Sequence, residues 1–316
     1  MSVPVLKPPA VPAGARVAVI APASSARIER LDAGIAALRK LGYRVAEGKH
    51  LRGRAPQYFS GTVQDRLDDL HAAFADPEIA AIFCSRGGYG SNYLLEEIDL
   101  ELIRRNPKPL FAYSDMTVLQ TWLLDQIGLV SLHGPMVAAD FCREGGVHSP
   151  SFNAAINGGS ASLGLAEGLR ALRPGIATGT LYGGCLSMVI SSLGTRFAAE
   201  TEGKILFLED VNVKPYQIDR LLRQLMLAGK LEGARGIVFG EMLDCVLPNG
   251  ERGHLEAVLL RVLDGFKGPI GFGLRSGHVT GPNVTLPLGI EVEIDLKDGV
   301  HEAESTLRFL EPAVRN

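Results

Sequence analysis

Cysteine is scarce in this chain, with four residues in 316, at positions 84, 142, 185 and 245. They form no C-x-x-C pair and have no closely spaced histidine partners. That pattern gives no disulfide framework and argues against a zinc site, so reduced thiols in a cytoplasmic protein are the simpler account. An excess of one charge is also missing. The net charge is -3, with acids and bases interspersed, which offers no broad cationic surface to nucleic acid or to an anionic membrane. No apolar run approaches the length of a membrane span. The opening Met1-Ser2-Val3-Pro4-Val5-Leu6-Lys7-Pro8-Pro9 lacks the basic start and continuous apolar core of a signal peptide. There is no internal repeat and no low-complexity tract.

What is present is length and apolar content. At 316 residues and 46% hydrophobic, two packed cores are expected rather than one. Arg16-Val17-Ala18-Val19-Ile20-Ala21-Pro22 reads as a buried strand, followed by helical spacing from Ile28 to Leu41, a short strand at Tyr43-Arg44-Val45, and a helix from about Val63 to Phe74. Ile79-Ala80-Ala81-Ile82-Phe83-Cys84 is a further strand, as are Pro109 to Ala112 and Leu129 to Leu132. Strands alternating with helices imply right-handed crossovers and a doubly wound parallel sheet. From Gly145 to about Ile176 the chain turns rich in Gly, Ser and Ala. We therefore expect an N-terminal α/β domain over 1–150, a connection over 151–177 and a C-terminal α+β domain over 178–316. The latter should hold strands at 204–208, 236–239 and 290–294, with helices near 184–193, 215–228 and 251–264.

The chemistry concentrates at Pro109-Leu110-Phe111-Ala112-Tyr113-Ser114-Asp115-Met116-Thr117, where an apolar run stops at a serine and Val118, Leu119, Trp122 and Leu123 then recur at helical spacing. Such a strand-to-helix turn lifts a hydroxyl clear of a sheet, and the helix N-terminus favours a developing oxyanion. Ser and Asp are also preferred N-cap residues, so this segment alone reads first as the closure of a helix end. A nucleophilic serine needs a base and a group to orient that base. Of the seven histidines, His133 and His278 lie beside glycine in loops at strand ends, where catalytic side chains tend to be mounted. His50, His71, His148, His254 and His301 default to the surface.

The apolar strand ending Leu208-Glu209-Asp210 offers two acids for the orienting role. Strand alternation puts Glu209 with Ile205 and Phe207, and Asp210 with Leu206 and Leu208, so only one can serve. The competing interpretation is a solvated strand end. Arg86-Gly87-Gly88-Tyr89-Gly90 also follows a strand, and its glycines permit close backbone approach to a ligand. It has no Lys-Ser/Thr after the glycines and does not fit G-x-G-x-x-G, so nucleotide binding is poorly supported. It suits an oxyanion hole built from its own amide and that of Asp115, or simply a tight turn. Cys84 is a rival nucleophile, although buried structural cysteine is the commoner state.

Taken in order, Arg86-Gly87-Gly88-Tyr89-Gly90, Tyr113-Ser114-Asp115-Met116-Thr117, His133-Gly134-Pro135, Tyr182-Gly183-Gly184 with Leu193-Gly194-Thr195, Leu208-Glu209-Asp210 and Ser276-Gly277-His278 resemble the serine LD-carboxypeptidase family. This family includes muramoyl-tetrapeptide carboxypeptidases and microcin C immunity peptidases, and the resemblance runs from about residue 14 to residue 310. It implies a Ser-Glu-His triad of Ser114, Glu209 and His278 in a cleft between the two domains, with the Gly88 and Asp115 amides as oxyanion hole. Arg86 and Gly87 are candidate substrate contacts. It further implies a cytoplasmic homodimer without metal or cofactor, and release of terminal D-alanine from muropeptide tetrapeptides in cell-wall recycling. Two positions depart from the family pattern: Ala112 stands where glycine is usual before the Tyr-Ser pair, and Cys185 where asparagine usually follows Gly-Gly. An immunity hydrolase acting on peptidyl or aminoacyl nucleotides would use the same triad. A binding module built on the glycine-rich turn would need no triad at all.

Overall fold

A computed structural model describes residues 3–247, 250 and 254–315. The chain divides into two compact units, one formed by Met1–Gly159, Gly281–Gly289 and Pro312–Asn316, the other by Ser160–Thr280 and Ile290–Glu311.

The first unit opens with β1 (Arg16–Ile20), whose Val17 to Ile20 are all buried, as befits a central parallel strand covered on both faces. Helix α1 (Ile28–Lys40) buries Leu31, Gly34, Ile35 and Leu38, the i, i+3, i+4, i+7 stripe of an amphipathic helix. Gly34 is required there, because a β-carbon would fall 2.0 Å from the Val137 carbonyl oxygen. Strand β2 (Arg44–Glu47) follows. Helix α2 (Val63–Ala75) starts in a capping box, with the Asp65 amide donating to Thr62 Oγ1 at 3.1 Å and the Thr62 amide donating to Asp65 Oδ2 at 2.9 Å. Next come β3 (Ile79–Cys84), α3 (Leu100–Arg105), β4 (Leu110–Ala112), α4 (Thr117–Ile127), β5 (Ser131–His133) and α5 (Ser149–Asn157). Phe83 of β3 and Phe111 of β4 stack at 4.3 Å in the core.

The second unit contains β6 (Ser162–Leu163), β7 (Arg170–Arg173), β8 (Gly175–Cys185), α6 (Leu186–Ser191), β9 (Lys204–Glu209), α7 (Pro215–Leu227), β10 (Gly236–Gly240), α8 (His254–Val262) and β11 (Ile270–Leu274). Residues 251–253 of the helix expected at 251–264 lie outside the described residues. The chain then gives β12 (Leu286–Leu288) to the first unit before returning with β13 (Glu291–Leu296) and β14 (Thr306–Phe309).

The first sheet has the order β12-β5-β4-β3-β1-β2. Strands β1 to β5 pair in parallel, and β12 closes the edge antiparallel to β5. The order reverses between β1 and β3, and in open sheets of this kind ligands bind beyond the carboxyl ends of the strands at that reversal. The second sheet runs β6-β14-β13-β8-β9-β10-β11-β7. Four parallel strands, β8 to β11, form its middle, with antiparallel strands on both flanks. The 151–177 stretch, read from sequence as a connection, thus carries most of α5, all of β6 and β7 and the start of β8.

Candidate active site

In the first unit, three loops emerge from the carboxyl ends of β1, β3 and β4. Ser114 opens a single 3-10 turn, Ser114–Met116, immediately before α4. Its φ is +65°, a left-handed conformation that a non-glycine residue adopts at a cost and that is common at sharp functional turns. Tyr113, Asp115 and Met116 are buried around it while Ser114 itself is half-buried. The capping interpretation does not hold, since no side chain caps either the 3-10 turn or α4. Asp115 is engaged elsewhere: its Oδ2 accepts the Ser91 amide at 2.8 Å and its carbonyl accepts Ser91 Oγ–H at 2.6 Å. These two bonds fasten the serine turn to the end of the glycine turn.

The glycine turn lies directly against the serine. A β-carbon at Gly87 would fall 2.8 Å from Ser114 Cβ, 3.0 Å from Ser114 Oγ and 3.2 Å from the Asp115 amide nitrogen. Gly88, at φ +107°, has Ser24 on its other side, where a β-carbon would come within 2.4 Å of Ser24 Oγ. Ser24 also accepts the Tyr89 amide at 3.1 Å. Arg66, reaching up from α2, donates to the carbonyls of Gly90 at 2.7 Å and Pro22 at 2.9 Å. Burial lowers its pKa, against the opposing pull of Asp115. Arg86 projects from the turn as an exposed cation, and among the described residues no ion pair engages it.

The two rivals in this unit are differently placed. Cys84 is fully buried, and desolvation pushes its thiol well above the ordinary range, so a reactive thiolate is disfavoured there. His133 is buried in β5 with its ring 5.8 Å from that of Tyr113.

In the second unit, Glu209 ends β9 fully buried, and its Oε2 lies 2.8 Å from His278 Nδ1. The His278 amide donates to the same oxygen at 3.1 Å. A carboxylate on Nδ1 selects the tautomer with the proton there and places the acceptor lone pair on Nε2, the form a general base needs. Two glycines make room for the carboxylate: a β-carbon at Gly277 would fall 2.6 Å from Glu209 Cδ, and one at Gly240 would fall 2.6 Å from Glu209 Cβ. Asp210 points the other way, as strand alternation requires. Its Oδ2 accepts the amide and hydroxyl of Ser187 at 2.9 and 2.6 Å at the start of α6, and burial raises its pKa in spite of those bonds. Of the two adjacent acids, only Glu209 meets the histidine. Cys185 is paired across the sheet with Glu209 and is buried, its thiol pushed well up by desolvation.

Sequence reasoning did not single out Ser24, Arg66, Ser91 or Gly240 as parts of this machinery. Arg66 carried a signal, since it occupies the face of α2 that also buries Leu67, Leu70 and Phe74, where a cation needs buried partners. Among the described residues no cluster of His, Cys, Asp and Glu could hold a metal ion, and no helix is long and apolar enough to cross a membrane.

Residues 17–134 match the LD-carboxypeptidase N-terminal domain and residues 178–294 match the LD-carboxypeptidase C-terminal domain. The chain is 38% identical over 296 residues to a probable murein peptide carboxypeptidase of Bacillus subtilis, covering 92% of this chain and 91% of that one. It is 33% identical over 285 residues to the murein tetrapeptide carboxypeptidase of Pseudomonas aeruginosa, covering 84% and 89%. Among solved structures, the muramoyltetrapeptide carboxypeptidase from Oxalobacter formigenes is similar with a TM-score of 0.82 at 26% identity, covering 95% of this chain and all of that one.

Proposed function

This chain belongs to the LD-carboxypeptidase family, and from that premise we propose that it is a serine carboxypeptidase that removes the terminal D-alanine from muropeptide tetrapeptides. Ser114 is the nucleophile, His278 the general base and Glu209 the group that orients it. The observation that carries this reading is Ser114 itself, a non-glycine residue held at φ +65° between a strand and a helix, with a glycine turn against its hydroxyl. A cap or a plain loop serine has no need of that strain.

In the reaction, His278 Nε2 takes the Ser114 proton as Oγ attacks the carbonyl that precedes the D-residue, while Glu209 holds Nδ1–H. The Gly88 and Asp115 amides receive the oxyanion, each worth on the order of a hundredfold or more in rate at such sites. The tetrahedral intermediate expels the D-residue as its amine, protonated by His278. Water, deprotonated by the same imidazole, then opens the acyl-enzyme, and Ser114 Oγ recovers its proton as the shortened peptide leaves. Arg86, exposed on the turn that touches Ser114, and the Gly87 backbone bind the substrate, with the Arg86 guanidinium pairing the terminal carboxylate. The same reading carries a homodimer in the cytoplasm, engaged in cell-wall recycling and using no cofactor.

The test is incubation of the purified chain with a tetrapeptide muropeptide and with its all-L counterpart, following amino-acid release by mass spectrometry. D-alanine should leave the first substrate only, and Ser114→Ala should abolish the release while the fold is retained. Normal turnover by Ser114→Ala rejects the assignment and leaves the glycine turn as a binding device. Preferential cleavage of peptidyl or aminoacyl nucleotides reassigns the enzyme to immunity chemistry.

A further inference from the structure

Beside the glycine turn lies a group of aromatic side chains that the proposed chemistry does not use. Tyr58, Phe59, Tyr89 and Tyr93 surround one another with ring centroids 4.7 to 6.0 Å apart. Three of them are exposed, Tyr58 by 49%, Tyr89 by 38% and Tyr93 by 51%. Aromatic groups of this size at the surface, clustered rather than scattered, mark a binding site. The cluster is firmly founded. Arg66 lies 5.0 Å over the Phe59 ring while also holding the Gly90 carbonyl, and a β-carbon at Gly90 would meet Phe59 at 2.7 Å.

We propose that this cluster is a carbohydrate subsite that receives the amino-sugar end of a muropeptide. The inference rests on the carboxypeptidase reading above and extends it from the peptide to the group attached to the peptide. Three observations favour a sugar. The outer rings meet their neighbours at steep angles, with Tyr58 at 66° to Phe59 and 73° to Tyr89, and Tyr93 at 80° to Phe59 and 89° to Tyr89, around a Phe59–Tyr89 pair inclined at 29°. The surface is therefore corrugated, which suits the C–H faces of a pyranose better than the flat face of a nucleobase. Its polar atoms are phenol hydroxyls, which donate to and accept from sugar hydroxyls. A hydrogen bond donated to Tyr89 and the closeness of that ring raise the Tyr93 pKa, so the Tyr93 phenol faces the ligand uncharged.

Position agrees with this. The sugar is joined to the amino end of the tetrapeptide, three residues before the carbonyl that Ser114 attacks, a reach of at most about 11 Å in an extended peptide. Tyr89 follows two residues after Gly87, which abuts Ser114, a span of up to about 7 Å. Tyr58 and Tyr93 add 5.3 and 6.0 Å beyond the Tyr89 ring. The outer tyrosines thus lie within a span of the same order as the reach from the attacked carbonyl to the sugar.

The experiment uses the full chain carrying Ser114→Ala, so that ligands bind without being consumed, and reads affinity by calorimetry. The probes are the disaccharide tetrapeptide, the same tetrapeptide without sugar, and adenosine monophosphate. The sugar-bearing peptide should bind about tenfold more tightly than the bare one, the gain expected of one or two aromatic contacts. Adding Tyr58→Ala and Tyr93→Ala should bring that ratio close to one. Equal affinity for the two peptides overturns the subsite, as does a ratio that survives both substitutions. Displacement of the sugar-bearing peptide by adenosine monophosphate, abolished by the same substitutions, assigns the surface to a nucleobase and also overturns it. Wild-type turnover separates the two levels of inference. D-alanine release from both peptides with no affinity ratio sinks the subsite alone, whereas no release from either sinks the carboxypeptidase reading.

Discussion

Gly277 touches the carboxylate of Glu209 so closely that a β-carbon would fall 2.6 Å from its Cδ, and it does so at φ +89°. The residue before the proposed base therefore shapes the socket of the group that orients that base. Any side chain at 277 must move Glu209, and Glu209 Oε2 holds His278 through both Nδ1 and the backbone amide. Gly277→Ala should lower kcat by about a hundredfold or more, the usual consequence of displacing a catalytic group by an ångström. It should also cost about 1–3 kcal/mol of stability from the strained backbone. Kinetics on a tetrapeptide muropeptide, paired with a melting curve, checks both. Retention of full kcat would show that the Glu209 contact is dispensable.

Gly87 offers the complementary case, because its φ lies outside the left-handed range and it is close contact with Ser114 and the Asp115 amide that stands against a side chain. In Gly87→Ala the new methyl would press on Ser114 Cβ and Oγ, at 2.8 and 3.0 Å. We expect overpacking of about 1–3 kcal/mol and a kcat loss of about a hundredfold or more as Oγ leaves its attacking position. A variant in which KM rises while kcat holds would place the glycine in ground-state binding instead.

Much of the first unit was legible because its strands are short, apolar and separated by helices of clean period, as in Arg16–Ile20 followed by Ile28–Lys40. The serine turn was legible for the same reason, an apolar strand ending abruptly before a helix. Strand β8 was not, because Gly175 fell in the expected connection, residue 184 at the start of an expected helix, and Gly179, Gly183 and Gly184 dilute the pattern of a strand. In the sheet those glycines admit neighbouring backbone: a β-carbon at Gly179 would fall 2.6 Å from the Gly203 carbonyl oxygen, and one at Gly183 2.3 Å from that of Phe207. Strand β12 hid for another reason. It is Leu-Pro-Leu at a sheet edge, and proline within a run argues against a strand everywhere except at an edge. Alternation along β9 separated Glu209 from Asp210, but which of them meets His278 depends on a loop 69 residues away, which no local pattern encodes.

Lys108, just before β4, is buried and donates from Nζ to the carbonyls of Ala73, at 2.9 Å, and Asp76, at the end of α2. Burial is the main cause that lowers its pKa from 10.5 to about 8, with Asp76 opposing. Between those two values the unfolded chain binds the proton and the folded chain has released it, so stability should rise with pH across that window. The neutral amine still has two N–H groups for the two carbonyls. Lys108→Met cannot titrate and serves as the reference. The stability of the wild type relative to Lys108→Met, from denaturant unfolding at a series of pH values, should increase from pH 8 towards 10.5. A decrease over that range would mean that the carbonyls hold the cation more strongly than burial repels it.

His133 and His278 divide the remaining question of which imidazole serves Ser114. His133 is the nearer in sequence, yet its ring is buried and packed at 5.8 Å against Tyr113, and its strand neighbour is Ala112. His278 sits on a loop with 21% of its side chain exposed and with a buried carboxylate fixing its tautomer, which is the arrangement a base requires. His133→Ala should therefore act through packing, costing about 1–3 kcal/mol while changing kcat of the folded protein by less than about tenfold. His278→Ala should lower kcat by about a thousandfold or more. It should also destabilise by about 1–3 kcal/mol, since Glu209 loses its imidazole partner while staying buried. Rates must accordingly be normalised to folded protein, measured by circular dichroism at the assay temperature. If the larger kcat loss falls on His133, the base is in the first unit and the Glu209–His278 pair is structural.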